Sequence, residues 1–277
     1  MITTSINTNF PPALLLSMSR TTLLLLLFSF GAYAQPKISW PHHKKAVIVL
    51  TYDDGIKSQL DNAVPLLDSL HFKATFFLIG DVLDYNSILK WRAVAKKGHE
   101  LANHTMYHPC VDKDNPVGSQ NYTPASILRE IETTNYFLFA LDGKTTHSYA
   151  YPCTETSVGG DYYVDSLRKS GAVSYARVGG DQGDAVITDF KWLDPMLVPS
   201  YGVDAGTSGD QLIAFVKKVE QGGGMGVFMF HGIGGDWIIT SPRAHRELLE
   251  YLAHDKNIWV ATFSEAMDYI GQANKIK

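Results

Sequence analysis

Residues 46–55 read AVIVLTYDDG. Ala46 to Tyr52 form an unbroken apolar, β-branched run, the pattern of a strand buried on both faces. Two adjacent carboxylates, Asp53 and Asp54, follow, and Gly55 closes the stretch. Strands of this kind belong to parallel sheets covered by helices.

The flanking sequence repeats the theme. Further strands are expected at Ala74–Ile79 (ATFFLI), 100–103, 147–151, 173–177, 226–230 (GVFMF) and 258–262 (IWVAT). Helical spacing fills the intervals at 58–70, 87–97, 124–141, 162–169, 206–220 and 242–254, and a last helix starts at Ser264. Ser87 is the expected cap of the second helix, and Gly98 ends it. Thr123, Pro124 and Gly143 bracket the third as cap, first residue and stop. Roughly seven βα units predict an α/β fold, a closed or nearly closed barrel of about seven parallel strands; a doubly wound open sheet is the alternative. In either, chemistry belongs at the carboxyl ends of the strands.

Composition narrows the class. The 277 residues carry 24 basic and 28 acidic side chains, a net charge of -4, with 45% hydrophobic and 19% charged residues. That is a core-forming chain without the basic footprint of a nucleic-acid binder. Arg20, the apolar run Leu23–Phe28 and Ala32-Tyr33-Ala34 before Gln35 read as a secretory signal peptide over residues 1–34. The run is too short for a stable membrane span. Residues 35–277 are then a single domain, exported to the periplasm or secreted, where disulfides persist.

Polar groups gather at the strand ends. Like charges resist sharing a low-dielectric site, so the Asp53–Asp54 pair invites a divalent cation on one carboxylate and leaves the other as a proton acceptor. A solvated turn is the bland alternative. After the third strand comes Asn103-His104-Thr105-Met106-Tyr107-His108-Pro109. Two histidines four apart face one side of a helical turn and can share a metal. Asp plus two His leaves open positions for water and substrate. Tyr151-Pro152-Cys153 forms a turn after the fourth strand. His231, followed by Gly232, ends the strand FMF and is placed to donate a proton.

The ordered set TYDDG, HTMYHP, a Tyr-Pro turn and FMFHG resembles the polysaccharide deacetylase family, carbohydrate esterase family 4, whose catalytic unit is the NodB homology domain. The resemblance runs from about Lys45 to the C-terminus and implies a distorted (β/α) barrel. It implies a metal-dependent hydrolase that removes acetyl groups from carbohydrate, foremost N-acetyl groups of an amino-sugar polymer. Asp53 looks like the family's base, Asp54, His104 and His108 like its metal ligands, and His231 like its general acid. The ion expected is Zn, with Co or Ni as substitutes. Cys153 lies where the family supplies an oxyanion-holding N–H. The family's third motif often carries an Arg beside the base; here Ala150 occupies that position, and Arg177 is the candidate replacement. Asp194, with Asp189 second, is the candidate for orienting His231.

Tyr107, Tyr151, Trp192, Tyr201 and Trp237 are aromatics near strand ends that could stack on sugars, with Trp237 on the most open loop and Tyr151 beside the third motif. Cys110 and Cys153 lie in two loops expected to border one cavity, so a disulfide there could fix its rim; two reduced cysteines are the alternative. Competing readings are an O-acetyl esterase on xylan-like polysaccharide and a carbohydrate-binding pseudoenzyme, the latter raised by the absent motif Arg.

Overall fold

A computed structural model describes residues 38–180 and 185–275. The expected signal segment, residues 1–34, lies outside the described residues. In chain order the strands are β1 (Ala46–Asp54), β2 (Thr75–Leu78), β3 (Glu100–Asn103), β4 (Tyr149–Ala150), β5 (Ser157–Val158), β6 (Asp161–Tyr162), β7 (Ala176–Gly180), β8 (Val186–Ile187), β9 (Val198–Gly202), β10 (Met225–Phe230) and β11 (Ile258–Ala261). The helices are α1 (Val64–Ser69), α2 (Tyr85–Lys96), α3 (Pro124–Asp142), α4 (Val164–Ser170), α5 (Gly209–Gly222), α6 (Pro242–His254) and α7 (Phe263–Lys275).

Seven parallel strands close on themselves in the order β1-β2-β3-β4-β7-β9-β10, with β10 pairing back onto β1. This is the (β/α) barrel the sequence predicts, with one member exchanged. The expected strand at 258–262 does not enter the ring. As β11 it lies on the first half of β1, along the same edge that β2 takes further on. The ring is completed instead by β9, which sequence reading did not find. The strand expected at 173–177 runs from 176 to 180, so Arg177 sits near its start.

β1 is buried along its whole length, and its residues alternate between two cores. Val47 and Val49 join Phe77, Ala102, Val198, Met225 and Val227 in one cluster, which fills the barrel. Ile48, Leu50 and Tyr52 join Phe76, Leu101 and Phe228 in the other, beneath the helices. Each such side chain contributes about 1.5–3 kcal/mol when fully buried. The period of two is therefore set energetically, and it sends Asp53 inward.

Caps fix where the helices begin. Thr123 accepts from the Ser126 amide while the Ser126 hydroxyl reaches back, and Gly143 ends α3 at φ 76°. In α2 the cap is Asp84, not Ser87. Ser87 stands three residues in and completes the reciprocal pair with Asp84.

Candidate metal and catalytic centre

Asp53 and Asp54 stand at the carboxyl end of β1, and each is nearly inaccessible. Alternation alone would point them to opposite sides. Asp54 instead adopts a left-handed backbone (φ 80°), followed by Gly55 (φ 71°), which turns the chain at that residue. Non-glycine residues persist there only when their surroundings hold them.

His104 and His108 do not lie on a helical turn. The segment between them is irregular, with Thr105 and His108 at positive φ. Asn103 Oδ1 accepts the Thr105 amide, Thr105 Oγ1 accepts the His108 amide, and Glu130 Oε1 on α3 accepts the amides of both Met106 and Tyr107. The imidazoles end up edge to face, 4.6 Å between centroids. His104 Nδ1 donates to the Ala150 carbonyl at 2.9 Å, which leaves the Nε2 lone pair free. His104 Nε2 lies 3.5 Å and His108 Nε2 3.8 Å from Asp54 Oδ1.

Those three atoms all fall within 4.8 Å of one another. Ligand bonds of about 2.0–2.2 Å can bridge such separations. Asp54 Oδ1 is buried and has no hydrogen-bond partner among the described residues. Burial, and then the charge of Asp53, raise the Asp54 pKa. Burial pushes His104 down to about 3 and also lowers His108, so both favour the neutral, ligating form. An uncompensated carboxylate oxygen facing two free imidazole nitrogens is a donor set that fits a divalent ion.

Asp53 has the opposite environment. Burial pushes its pKa up, but Arg177, His104 and His231 together outweigh burial and hold it below the ordinary value. Arg177 Nη2 is 2.5 Å from Asp53 Oδ2, and Nη1 donates to Ser200 Oγ at 3.0 Å. Its guanidinium carbon lies 5.0 Å from the centre of the Phe77 ring. The position opened by Ala150 is thus faced by an arginine from β7.

His231 follows β10. Gln59 Nε2 donates to both the Asp53 carbonyl (2.5 Å) and the His231 carbonyl (3.2 Å), tying the two strand ends together. His231 Nδ1 is buried without a hydrogen-bond partner among the described residues. Asp194 does not orient it: both its oxygens bind Arg168 at 2.8 Å, and Oδ1 also accepts the Met196 amide. Asp189 Oδ1 accepts the Lys191 amide in a turn.

Tyr151 is likewise not a sugar platform. It is 2% exposed, packs against Tyr149 and Tyr163, and donates to the Met196 carbonyl. Tyr201 is buried with Phe215 and Phe228, whereas Trp192, Tyr107 and Trp237 are exposed. The Trp237 indole N–H donates to Asp54 Oδ2 at 2.6 Å.

Cys153 sits at φ 50° in the turn Pro152–Thr154 and is disulfide-bonded to Cys110, with the Cα atoms 5.8 Å apart. Cys110 Sγ lies 3.5 Å from His108 Nδ1, so the bond joins the third-motif turn to the histidine loop.

Sequence reading missed Gln59, Glu130 and Ser200. Each is a common residue type whose partner is remote in the chain, and no local pattern marks it.

The profile of the polysaccharide deacetylase family matches residues 41–171. A peptidoglycan-N-acetylglucosamine deacetylase from Bacillus cereus is 39% identical over 77 residues, 26% of this chain and 26% of its own. A chitooligosaccharide deacetylase from Rhizobium leguminosarum bv. phaseoli is 39% identical over 89 residues, 32% of this chain and 35% of its own. The chain spans from 5% of a Bacillus sp gellan lyase to 35% of the Rhizobium protein among the curated relatives it matches. A crystal structure from Mycobacterium smegmatis, assigned as a polysaccharide deacetylase, superposes with a TM-score of 0.64 at 16% identity, over 86% of this chain and 94% of its own. The barrel, the order of its motifs and the profile matched over residues 41–171, just under half of the chain, make this protein similar to the polysaccharide deacetylase family.

Proposed function

We propose that this protein is a metal-dependent hydrolase that removes N-acetyl groups from an amino-sugar polymer or oligosaccharide outside the cytoplasm. The observation that carries the reading is the convergence of Asp54 Oδ1, His104 Nε2 and His108 Nε2 beside an arginine-paired Asp53. Asp54, His104 and His108 would hold the ion. When bound, such an ion polarises an acyl oxygen and raises the acidity of water.

The chain's own groups supply the rest. Asp53, kept ionised by Arg177, accepts a proton from the attacking water. The backbone N–H of Cys153 is assigned to the oxyanion that develops on the acetyl carbon, where a fixed donor contributes most. His231 gives its proton to the leaving nitrogen as the C–N bond breaks. An amine leaves poorly without that proton, whereas an alkoxide from an ester needs it less. The exposed ring of Trp237 offers a stacking face for a sugar.

Residues 1–34 are assigned to export, in keeping with relatives named for peptidoglycan. No helix among the described residues is long and apolar enough to cross a membrane. The deciding experiment measures acetate released from N-acetylated chitooligosaccharides and from acetylated xylan, with chelator and after Zn or Co is restored. Release from the amino sugar that chelator abolishes and metal restores is expected. Release indifferent to chelator, or confined to xylan, would overturn the reading.

A further inference from the structure

Trp237 is tied to the site by its indole nitrogen as well as by its open ring. The N–H···Oδ2 bond occupies one oxygen of Asp54, and the other, Oδ1, faces His104 and His108. A carboxylate held at one oxygen presents the other in a fixed direction. Partners of this kind set ligand orientation, and losing one weakens metal affinity about 10- to 100-fold.

The loop goes to some length to bring the indole there. Asp236 (φ 64°) and Ile238 (φ 45°), on either side of Trp237, both lie in the left-handed region. Such backbone persists only where its surroundings over-determine it. Here Asp236 Oδ2 accepts the Ser58 amide, the Ser58 hydroxyl donates to the Gly235 carbonyl, and the Gly232 amide donates to the Trp237 carbonyl. A Cβ at Gly232 would stand 2.0 Å from Gly235 O and 2.7 Å from Trp237 O, so only glycine lets the loop close. Trp237 also borders a cleft of about 470 Å³ that meets Gly55, Val82 and Lys90.

We propose that Trp237 is a positioning residue for Asp54: its N–H fixes the carboxylate so that Oδ1 alone points at the ion. The inference rests on reading Asp54, His104 and His108 as the ion site. The test uses chelator-stripped full-length protein and measures Zn²⁺ or Co²⁺ affinity by competition with a chromophoric chelator. Wild type should bind one equivalent and Asp54→Asn should lose it. Failure of either result overturns the site reading itself.

Given both, Trp237→Phe, which keeps a ring but loses the donor, should bind 10- to 100-fold more weakly. Its metal-free form should still melt cooperatively well above the assay temperature, so that the weaker binding is measured on folded protein. Wild-type affinity in Trp237→Phe would overturn the positioning role. So would an affinity loss in a variant whose metal-free form has no cooperative melting transition above the assay temperature, since that would mark a merely structural residue.

Discussion

Arg177→Ala tests the core of the site. The Arg177 and Asp53 side chains are 1% and 3% exposed, so solvent does little to screen the pair. Removing one member of a buried pair strands the other, at about 3–5 kcal/mol. The carboxyl can escape that penalty by taking up a proton. Burial is the largest single influence on Asp53 and raises its pKa, while Arg177 is the largest opposing one. Without Arg177, the pKa climbs. A depressed carboxyl pKa gives stability that is present above the unfolded value of 3.8 and lost as pH falls through the folded value. Arg177→Ala therefore forfeits that stability and moves the acid limb of kcat/KM to higher pH. Below that shifted limb, where the base is protonated, the rate should fall by about 10²–10⁴. Denaturant unfolding of Arg177→Ala, Asp53→Asn and the double variant, in chelator, isolates the pair. The double variant should be markedly less destabilised than the two single losses added. Additivity within about 0.5 kcal/mol, with an unmoved pH profile, would refute the argument.

His231→Ala should slow amide cleavage by about 10²–10⁴ and ester cleavage much less; equal losses on chitooligosaccharide and acetylated xylan would remove it as the acid. Opening the Cys110–Cys153 bond, which spans 43 residues, should cost about 4 kcal/mol by chain entropy. An unchanged urea midpoint in Cys110→Ser/Cys153→Ser would contradict that. Burial pushes the His245 pKa from 6.5 down to about 3, and its Nε2 accepts the buried Tyr52 hydroxyl at 2.6 Å. The unfolded chain binds a proton there that the fold refuses, so this contribution is full above about pH 6.5 and fades as pH falls toward 3. His245→Phe should lower stability at neutral pH, because Tyr52 loses its partner, yet flatten its slope between pH 7 and 4; an unchanged slope would count against the burial argument.

The parts of the molecule legible in sequence are those written locally. The run before Asp53 and the run before His231 announce buried strands, and strand ends are where a parallel barrel does chemistry. β9 was hidden because VPSYG puts proline and glycine inside a five-residue strand, which reads as a turn. β11 looked like a ring member because its apolar run is as good as any, yet only pairing register reveals that β2 already holds the ring position beside β1. The bonds that assemble the site join residues far apart in the chain: Arg177 to Asp53 across 124 positions, Gln59 to His231 across 172, Trp237 to Asp54 across 183. The errors share this origin. Asp194 has the right chemistry, but Arg168 claims it; Tyr151 has the right position near the turn, but packing encloses it.

The two neighbouring carboxylates show why such bonds decide function. Asp53 and Asp54 have the same chemistry, the same strand end and almost the same burial, yet their pKa values move in opposite directions. Coulomb repulsion falls on Asp54, because Asp53 ionises first and its charge then opposes the second; the question is what lets Asp53 go first. The difference lies in what faces each one. Arg177 gives Asp53 a permanent cation inside the barrel and, with His104 and His231, outweighs burial and favours its ionised form. Asp54 has an indole N–H on one oxygen, and with His231 and His108 this offsets burial and the charge of Asp53 only in part. Its charge is left under-compensated among the described residues. Environments that push two acids apart assign them separate tasks. On the proposed reading, a metal ion would be drawn to Asp54 rather than Asp53, and the arginine on β7, by satisfying one acid, would direct the ion to the other.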